Sequence, residues 1–438
     1  MDTERKFICD NITANKEGHL CLGGADVVSL ASQYGTPLYL LDENRIRERC
    51  RTYKEALNEA FGVRAFAAYA SKAASFKEIY RIMKSENMYV DVVSCGEIYT
   101  AAQAGFPLKN ALFHSNNKTD DDVRFAVKNG VGYFVVDNEE ELYIIEREAA
   151  AAGIRQKILL RITPGIDPHT FAAVATGKVD SKFGSAIQTG QAKAITEIAL
   201  KQKHIILSGY HCHIGSQIFG VGVFLKTADI MCRFIADMKM RLGFEAELLD
   251  LGGGMGVRYL PTDPVVDIKE NITALGNKLK SLCVELKINL PVIILEPGRS
   301  IVADAGMTVY TVGTVKRIPD FVNYVSVDGG MTDNIRYAMY KSNYTLLAAN
   351  KTNEDCSMKA SIAGRCCESG DIVQENVPLP SSIKRGDIIA CLTTGAYNYS
   401  MASNYNRLPR PPIVMIKDGK SRIVVRREEF SNVCAMDV

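Results

Sequence analysis

Residues 65–72 read Ala-Phe-Ala-Ala-Tyr-Ala-Ser-Lys, a nearly continuous apolar run that ends in a serine and a lysine. A run without polar alternation is typical of a strand buried on both faces, as in a parallel sheet. Similar runs recur up to residue 300, and charged stretches with a helical pattern, such as Glu43–Phe61 and Glu139–Ala152, separate them. The other runs are Leu38–Leu41, Tyr89–Val93, Ala111–Phe113, Tyr133–Val136, Ile158–Ile162, Ile205–Tyr210, Leu248–Leu251 and Val292–Leu295.

This rhythm predicts an α/β fold in which residues 36–303 form a (β/α)8 barrel. A doubly wound open sheet is the alternative, but it usually carries a GxGxxG turn after its first strand, and we find none. Short strand-like segments separated by Gly, Pro and Asn predict a mostly antiparallel β-barrel or sandwich domain over residues 304–438. Residues 1–35 are also strand-like, and we expect them to join that C-terminal β domain.

Composition excludes several classes of protein. The 438 residues include 52 Lys and Arg against 50 Asp and Glu, and a net charge of +2 argues against nucleic acid as a partner. No apolar run approaches the ~18 residues of a membrane span. No secretory signal follows Met1, so we expect a cytoplasmic protein without a membrane partner.

The twelve cysteines do not form a recognisable disulfide or zinc pattern, because no CxxC pair occurs. We expect most of them to be reduced core residues. Cys366 and Cys367 are adjacent and could form a redox pair, although adjacent cysteines rarely meet disulfide geometry without strain.

Several predicted strands end in residues that could do chemistry, and in a (β/α)8 barrel these ends form the active site. Lys72 follows six uncharged residues, so we expect a poorly solvated amine with a lowered pKa, unless the side chain simply extends to solvent. Asp91 and Ser94 close the next strand, where Ser94 could equally be an ordinary helix cap.

His211 and His213 alternate along one strand and therefore point to opposite sides, which disfavours a shared metal ion. His213 with Ser216 fits an aromatic plane beside a phosphate-binding turn, although a core histidine is about as plausible. The glycines at 252–254 allow the backbone to approach an anion, or form only a tight loop. Glu296 ends an apolar strand and needs a positive partner, for which Arg299 is a candidate.

Together these residues supply an amine, an anion site, a flat ring and a buried carboxylate. Pyridoxal 5′-phosphate (PLP) requires these four features, namely a Schiff-base lysine, a phosphate site, a ring support and a partner for the pyridine nitrogen. We therefore expect PLP as the cofactor. We expect no metal ion, since the six histidines are mostly scattered.

The chain resembles the alanine-racemase-fold (type III) PLP-dependent decarboxylases through motifs that span nearly its whole length. The motifs are Tyr-Ala-Ser-Lys at 69–72, Thr-Gly-Lys at 176–178, Ser-Lys-Phe-Gly at 181–184, His-Ile-Gly-Ser-Gln at 213–217, Gly-Gly-Gly at 252–254, Glu-Pro-Gly-Arg at 296–299, Cys-Glu-Ser-Gly-Asp at 367–371 and Gly-Ala-Tyr at 395–397.

The resemblance implies roles for individual residues. Lys72 would bind PLP covalently, and Cys367 and Glu368 would reach into the active site of a partner subunit, which implies a homodimer. Cys367 is a candidate for the acid that returns a proton to the substrate Cα, or it is a buried structural thiol. The cofactor-binding residues would be Lys72, Asp91, His213, Ser216, Gly253, Gly254, Glu296, Gly298, Arg299 and Tyr397. The substrate-binding residues would be Arg299, Arg336, Tyr340, Glu368 and Tyr397.

The same residues suggest a reaction and a substrate. A carboxylate at the ring nitrogen favours decarboxylation over racemisation, because it keeps the ring protonated. Two arginines and a tyrosine suit the distal carboxylate of meso-2,6-diaminopimelate, and Glu368 suits its distal ammonium, so the expected product is L-lysine. The loop Thr163–Gly184 is a candidate to close over the substrate.

Three alternatives remain open at this point. A related decarboxylase could act on D-ornithine, D-lysine, arginine or a carboxylated polyamine. A relative that has lost PLP could act as a regulatory binding protein. A metal hydrolase on the same barrel would need clustered His and carboxylate ligands.

Overall fold

The computed structural model describes residues 7–166 and 180–438, and the chain divides into two compact units. The barrel unit comprises Arg49–Gly256 and Val265–Gly298. The β unit comprises the N-terminal residues up to Glu48, the segment Val257–Pro264 and Arg299–Val438.

The strands are β1 (Ile12–Ala14), β2 (Leu20–Leu22), β3 (Ala25–Asp26), β4 (Leu38–Asp42), β5 (Ala65–Ala70), β6 (Tyr89–Val92), β7 (Ala111–Phe113), β8 (Tyr133–Val136), β9 (Gln156–Thr163), β10 (Ser185–Ala186), β11 (Ile205–His211), β12 (Leu248–Asp250), β13 (Val292–Leu295), β14 (Gly306–Arg317), β15 (Asn323–Val327), β16 (Leu346–Ala348), β17 (Met358–Ala363), β18 (Ile372–Leu379), β19 (Ile388–Leu392), β20 (Ile413–Lys417) and β21 (Lys420–Val425). The helices are α1 (Val27–Tyr34), α2 (Glu43–Phe61), α3 (Lys77–Ser85), α4 (Cys95–Gln103), α5 (Asp120–Lys128), α6 (Glu139–Ala151), α7 (Gln191–Ala199), α8 (Val221–Leu242), α9 (Ile268–Leu286), α10 (Arg299–Val302), α11 (Arg336–Tyr340) and α12 (Phe430–Val433).

The barrel unit is a closed ring of eight parallel strands in the order β5-β6-β7-β8-β9-β11-β12-β13, with β13 pairing back to β5. Its interior is filled by side chains that point inward from six of these strands, and all six are buried. These side chains are Ala68, Leu112, Val135, Leu159, Leu248 and Ile294. The predicted (β/α)8 barrel is thus confirmed, and its closure brings the carboxyl ends of all eight strands to one rim.

Helix boundaries follow local capping chemistry. Ser94, Asn138 and Asp267 each accept a hydrogen bond from a backbone N–H in the first turn of the helix that follows them. Thr119 and Asp122 form a capping box at the start of α5. These caps fix where the chain turns from each rim loop into a helix.

The β unit contains a mixed, mostly antiparallel sheet in the order β18-β17-β15-β14-β4-β20-β21, with β19 also pairing with β14 and β16, and a small sheet of β1, β2 and β3. The run Leu38–Leu41, predicted as a barrel strand, lies here instead. As part of β4 it pairs antiparallel to β14 and parallel to β20. A strand buried on both faces has the same sequence pattern in the middle of either sheet, which explains the wrong assignment.

All twelve cysteines carry free thiols. In the parts of the chain that the structure describes, we find no helix whose length and apolar character would suit a membrane span.

Glu43 at the start of α2 provides a test of stability in the β unit. Its buried carboxylate accepts hydrogen bonds from Arg47 (2.8 Å), Lys417 (3.0 Å) and Arg422 (2.6 Å). Burial alone would raise the pKa of Glu43, but these three cations lower it to about 2. Glu43→Gln should therefore lower the free energy of unfolding at pH 7 by about 2–3 kcal/mol.

The sign of the pH dependence follows from that lowered pKa. The stabilisation is complete above the unfolded value of about 4.5 and is lost as the pH falls towards 2. Melting temperatures of wild type and variant should therefore converge between pH 5 and pH 3. Glu59 lies on α2, like Glu43, and forms an exposed ion pair with Lys269 of α9. Glu59→Gln should therefore change stability little. A Glu43 effect that is equal at both pH values would contradict this origin.

Candidate active site

Six ionisable side chains lie at the carboxyl ends of barrel strands or directly after them. They are Lys72 after β5, Asp91 on β6, His114 after β7, His211 at the end of β11, Asp250 at the end of β12 and Glu296 after β13. The closed parallel barrel brings these ends together, so residues more than 200 positions apart in sequence become neighbours.

Lys72 lies in a short 3-10 turn, Ser71–Ala73, that follows β5. Its Nζ lies 3.3 Å from Oδ2 of Asp91, whose side chain is fully buried. The expected poorly solvated lysine is not what the structure shows, because 42% of the Lys72 side chain is exposed and the amine has a carboxylate partner. The turn carries the lysine past the end of the strand, so its amine is accessible at the rim.

Glu296 is held by two imidazoles, one on each carboxylate oxygen. Oε1 lies 2.7 Å from Nε2 of His114, and Oε2 lies 3.2 Å from Nε2 of His211. Burial alone would raise the pKa of Glu296, but the two histidines outweigh it and hold the pKa well below its usual value. Burial lowers the pKa of His211 to about 3. The structure therefore favours an ionised Glu296 beside a neutral His211.

Asp250 lies next to this carboxylate and has the opposite charge preference. Burial and then repulsion from Glu296 raise the pKa of Asp250 well above its usual value. Its Oδ1 accepts a hydrogen bond from the backbone N–H of Gly252 at 2.8 Å. The opposite directions of the two pKa shifts favour a neutral Asp250 beside a charged Glu296.

The Gly-rich turn after β12 has no room for side chains. A Cβ on Gly253 would lie 2.1 Å from the carbonyl oxygen of Glu296, and one on Gly254 would lie 2.4 Å from that of Gly215. Gly254 also has φ +119°, which other residues rarely adopt. The loops after β11, β12 and β13 therefore meet through bare backbone, which is the type of cradle that an anion needs.

His213 lies just past the end of β11, beside this cradle. Its Nδ1 is 2.7 Å from where a Cβ on Gly252 would be. Burial and repulsion from Lys72 lower the pKa of His213 well below its usual value, so the ring is neutral. An uncharged imidazole near Lys72 suits the predicted stacking role.

These residues of the barrel unit fit PLP. They offer an accessible amine, an ionised carboxylate, a neutral imidazole and a side-chain-free turn, which match the aldehyde, ring nitrogen, ring face and phosphate of the cofactor. Gly298 adds a further close approach, since its Cβ would lie 2.8 Å from Cβ of Ala70.

The β unit contains a separate cluster of two buried arginines and several tyrosines. Arg299 donates a hydrogen bond from NH1 to the hydroxyl of Tyr259 at 2.5 Å. The guanidinium carbons of Arg299 and Arg336 lie 4.8 Å and 5.5 Å from the ring centre of Tyr397. Arg336 also lies 5.4 Å from the ring of Tyr340. Two cations that share one aromatic ring form a suitable site for a carboxylate or phosphate.

Cys367 and Glu368 lie on an exposed loop of the β unit, after β17. The backbone N–H of Cys367 donates to Oδ1 of Asn406 at 2.9 Å, and Glu368 accepts from Gly370 in its own loop. Both side chains are therefore available to a partner molecule.

Two residues of the cluster, His114 and Asp250, were not predicted from the sequence. Asp250 was counted inside the apolar run Leu248–Leu251, and His114 follows a strand of only three residues. A polar residue directly after a buried run was the available signal for His114.

The Thr-Gly-Lys motif at 176–178 and most of the loop predicted to close over the substrate lie outside the described residues.

Comparison with known proteins supports the PLP assignment. Residues 43–303 match the family model described as pyridoxal-dependent decarboxylase, pyridoxal binding domain. The chain belongs to the pyridoxal-dependent decarboxylases. PLP is therefore its cofactor, and the predicted enzyme class is confirmed.

Individual relatives of this decarboxylase are similar over almost its full length. The diaminopimelate decarboxylase of Bacillus subtilis (strain 168) is 43% identical, with 99% of this chain and 98% of the relative covered. That of Staphylococcus aureus (strain COL) is also 43% identical, with 97% and 98% covered. A crystal structure of diaminopimelate decarboxylase from M. jannaschii in complex with L-lysine is 32% identical, with a TM-score of 0.90 and 98% of both chains covered.

A solved structure of a decarboxylase that is named for other substrates is less similar to this chain. The lysine/ornithine decarboxylase of Vibrio vulnificus, in complex with cadaverine, is 25% identical with a TM-score of 0.75. It covers 89% of this chain and 96% of its own.

Proposed function

We propose that this decarboxylase removes CO2 from meso-2,6-diaminopimelate and releases L-lysine, as the last step of lysine biosynthesis. The observation that carries the proposal is the 43% identity, over nearly the whole chain, to enzymes named diaminopimelate decarboxylase. The lower identity to a lysine/ornithine decarboxylase points in the same direction.

Bound PLP supplies an electron sink for the charge left on the substrate Cα when CO2 departs. Lys72 would hold the cofactor through its amine, which Asp91 keeps in place at the rim. His213 would support the ring. The phosphate would be held by Ser216, Gly253, Gly254, Gly298, Arg299 and Tyr397.

Glu296 would hold a proton on the pyridine nitrogen. An ionised carboxylate is required for that task, and the two histidines on its oxygens keep it ionised despite burial. This charge favours decarboxylation over racemisation, which needs a weaker electron sink.

The arginine cluster would select the substrate. Arg299, Arg336 and Tyr340 would bind the distal carboxylate, and Glu368 would bind the distal ammonium. Both arginines are buried, so a substrate without the distal carboxylate would leave them without their anion. We therefore expect at least about a thousandfold preference in kcat/KM for meso-diaminopimelate over D-lysine, which lacks the distal carboxylate.

A substrate panel tests this proposal. Purified protein with PLP is given meso-diaminopimelate, D-ornithine, D-lysine, arginine and a carboxylated polyamine, and CO2 and amine products are measured. Lysine and CO2 formed from meso-diaminopimelate, with little CO2 released from the other compounds, support the proposal. Comparable turnover of D-ornithine would overturn it in favour of a related decarboxylase.

We further infer a homodimer in which Cys367 donates the proton to Cα and lies, with Glu368, in the partner's active site. The exposure of both residues supports this arrangement.

Cys367→Ala should lower kcat by about 100-fold with little change in KM, because a positioned proton donor contributes about that factor. Cys366→Ala is the matched control and should stay near wild type.

Subunit mixing tests whether the site is shared. Lys72→Ala and Cys367→Ala proteins should each have little activity, but a heterodimer of the two would contain one intact site. A re-equilibrated equal mixture should recover about a quarter of wild-type activity. No recovery, with dimers verified by light scattering, would contradict the shared site.

We also expect the enzyme to act in the cytoplasm, which localisation of a tagged protein would check.

A metal enzyme is the second candidate, because His114, His211, Asp250 and Glu296 place one ligand atom each within 4.8 Å of one another. Two imidazoles and two carboxylates are a common ligand set for a divalent transition metal. Exhaustive chelation should leave decarboxylation unchanged if PLP alone is required. Loss of activity on chelation, restored by a metal ion, would favour this second candidate.

A further inference from the structure

We propose that His114 is a positioning residue that couples the carboxylate at the ring nitrogen to the carboxylate that holds Lys72. The inference rests on the proposed function, in that it concerns how the chain receives its cofactor. His114 follows β7 and is buried, and its imidazole lies between Asp91 and Glu296.

The contacts of His114 define this bridge. Its Nε2 lies 2.7 Å from Oε1 of Glu296 and 3.8 Å from Oδ1 of Asp91. The other carboxylate oxygen of Asp91 lies 3.3 Å from Nζ of Lys72. Lys72, Asp91, His114 and Glu296 therefore follow one another in space, and His114 lies between the two carboxylates.

The orientation of the imidazole is fixed by packing against a second ring. The His114 ring meets that of His211 edge-on, at 4.8 Å between centroids and 70° between planes. Because His211 binds the other oxygen of Glu296, the two rings fix the plane of the carboxylate between them. A ring-nitrogen partner needs this fixed plane, since a carboxylate that rotates loses the alignment of its hydrogen bond.

His114 lies among the charged groups of the cluster. The charged and titratable groups that face His114 are Asp91 from β6, Asp137 after β8, His211 from β11 and Glu296 after β13. Two further groups, Arg161 from β9 and Asp250 from β12, interact with Glu296. Three carboxylates therefore surround one imidazole, and His114 makes its closest approach to Oε1 of Glu296.

The test compares His114→Leu, which removes the polar contact with Oε1 of Glu296, with His114→Gln, whose amide can donate to Oε1. His204→Leu is the matched control, since His204 pairs with Glu146 at 2.8 Å in the same unit but outside the cluster. Three quantities are measured: the dissociation constant of apoprotein for PLP, the pH dependence of the absorbance of bound PLP, and kcat and KM.

We expect His114→Leu to weaken PLP binding by about tenfold or more. The pH midpoint of the cofactor absorbance should shift, and kcat should fall more than KM changes. His114→Gln should restore most of the affinity and the wild-type midpoint, and His204→Leu should match wild type. A Leu variant with wild-type affinity and midpoint would overturn the proposal, as would a Gln variant that restores neither.

A purely structural role would lower the melting temperature without moving the midpoint of the absorbance titration. The affinity and absorbance measurements need no substrate, so they are independent of the proposed reaction. Wild-type protein that binds PLP but forms no lysine would refute the proposed function alone. Unchanged PLP binding in His114→Leu, with lysine formed normally, would refute only the role of His114.

Discussion

Lys72→Ala should abolish both the visible absorbance of bound PLP and the release of lysine from meso-diaminopimelate. The Lys72 amine is the accessible amine of the rim cluster, and it lies within 3.3 Å of a fully buried carboxylate. Its removal would take away the proposed covalent attachment of PLP, so kcat should fall by about a thousandfold or more. Absorbance spectra with added PLP and a lysine assay on the same preparation measure the two effects.

Lys72→Arg separates the covalent role from the ionic one. Arginine keeps the charge beside Asp91 but cannot form the imine with the aldehyde of PLP. It should therefore fold as wild type and lack the absorbance. Lys77→Ala, at the exposed start of α3, controls for loss of a nearby positive charge. Wild-type absorbance and activity in Lys72→Arg would exclude Lys72 as the attachment point.

The spectrum of the unmutated protein also tests whether the chain is only a binding protein that has lost its chemistry. Such a relative would show no cofactor absorbance with added PLP. The chain retains the amine, the ionised carboxylate and the side-chain-free turn in one unit, and these features argue against that alternative.

The barrel could be predicted from the sequence because a strand that is buried on both faces has a simple sequence pattern, namely a short apolar run without alternation. Eight of the nine runs are strands of the barrel. The remaining run, Leu38–Leu41, has the same sequence pattern but lies in the β unit between β14 and β20. The pattern reports how deeply a strand is buried, and it carries no information about which sheet the strand joins.

The site was predictable where a residue interrupts an apolar run, as Lys72 and Glu296 do. The residues that contact them were harder to predict from the sequence. A positive partner for Glu296 was expected, and Arg299 was the nearest candidate along the chain. The structure instead supplies two histidines from β7 and β11, at distances of 182 and 85 residues in sequence. Such pairs depend on the register of the closed barrel, which local patterns do not encode.

The second large effect should come from the charge of Glu296. Glu296→Gln keeps the size of the side chain and removes the negative charge that would hold a proton on the ring nitrogen. We expect kcat to fall by about 100-fold or more, because electrostatic stabilisation of developing charge typically contributes that much. Binding of PLP should weaken less, since the amine, the turn and His213 remain. Single-turnover lysine formation and PLP titration of the apoprotein measure the two quantities separately.

Asp250→Asn provides the comparison that makes this prediction specific to charge. Burial and the neighbouring Glu296 raise the pKa of Asp250 well above its usual value, so the native side chain is a neutral acid. An asparagine resembles that neutral acid in size and can still accept the hydrogen bond from Gly252. Asp250→Asn should therefore cost less than about tenfold in kcat. Equal losses in the two variants would show that the negative charge is shared between the acids, whereas a large loss in Glu296→Gln alone would locate it on the carboxylate that His114 and His211 hold.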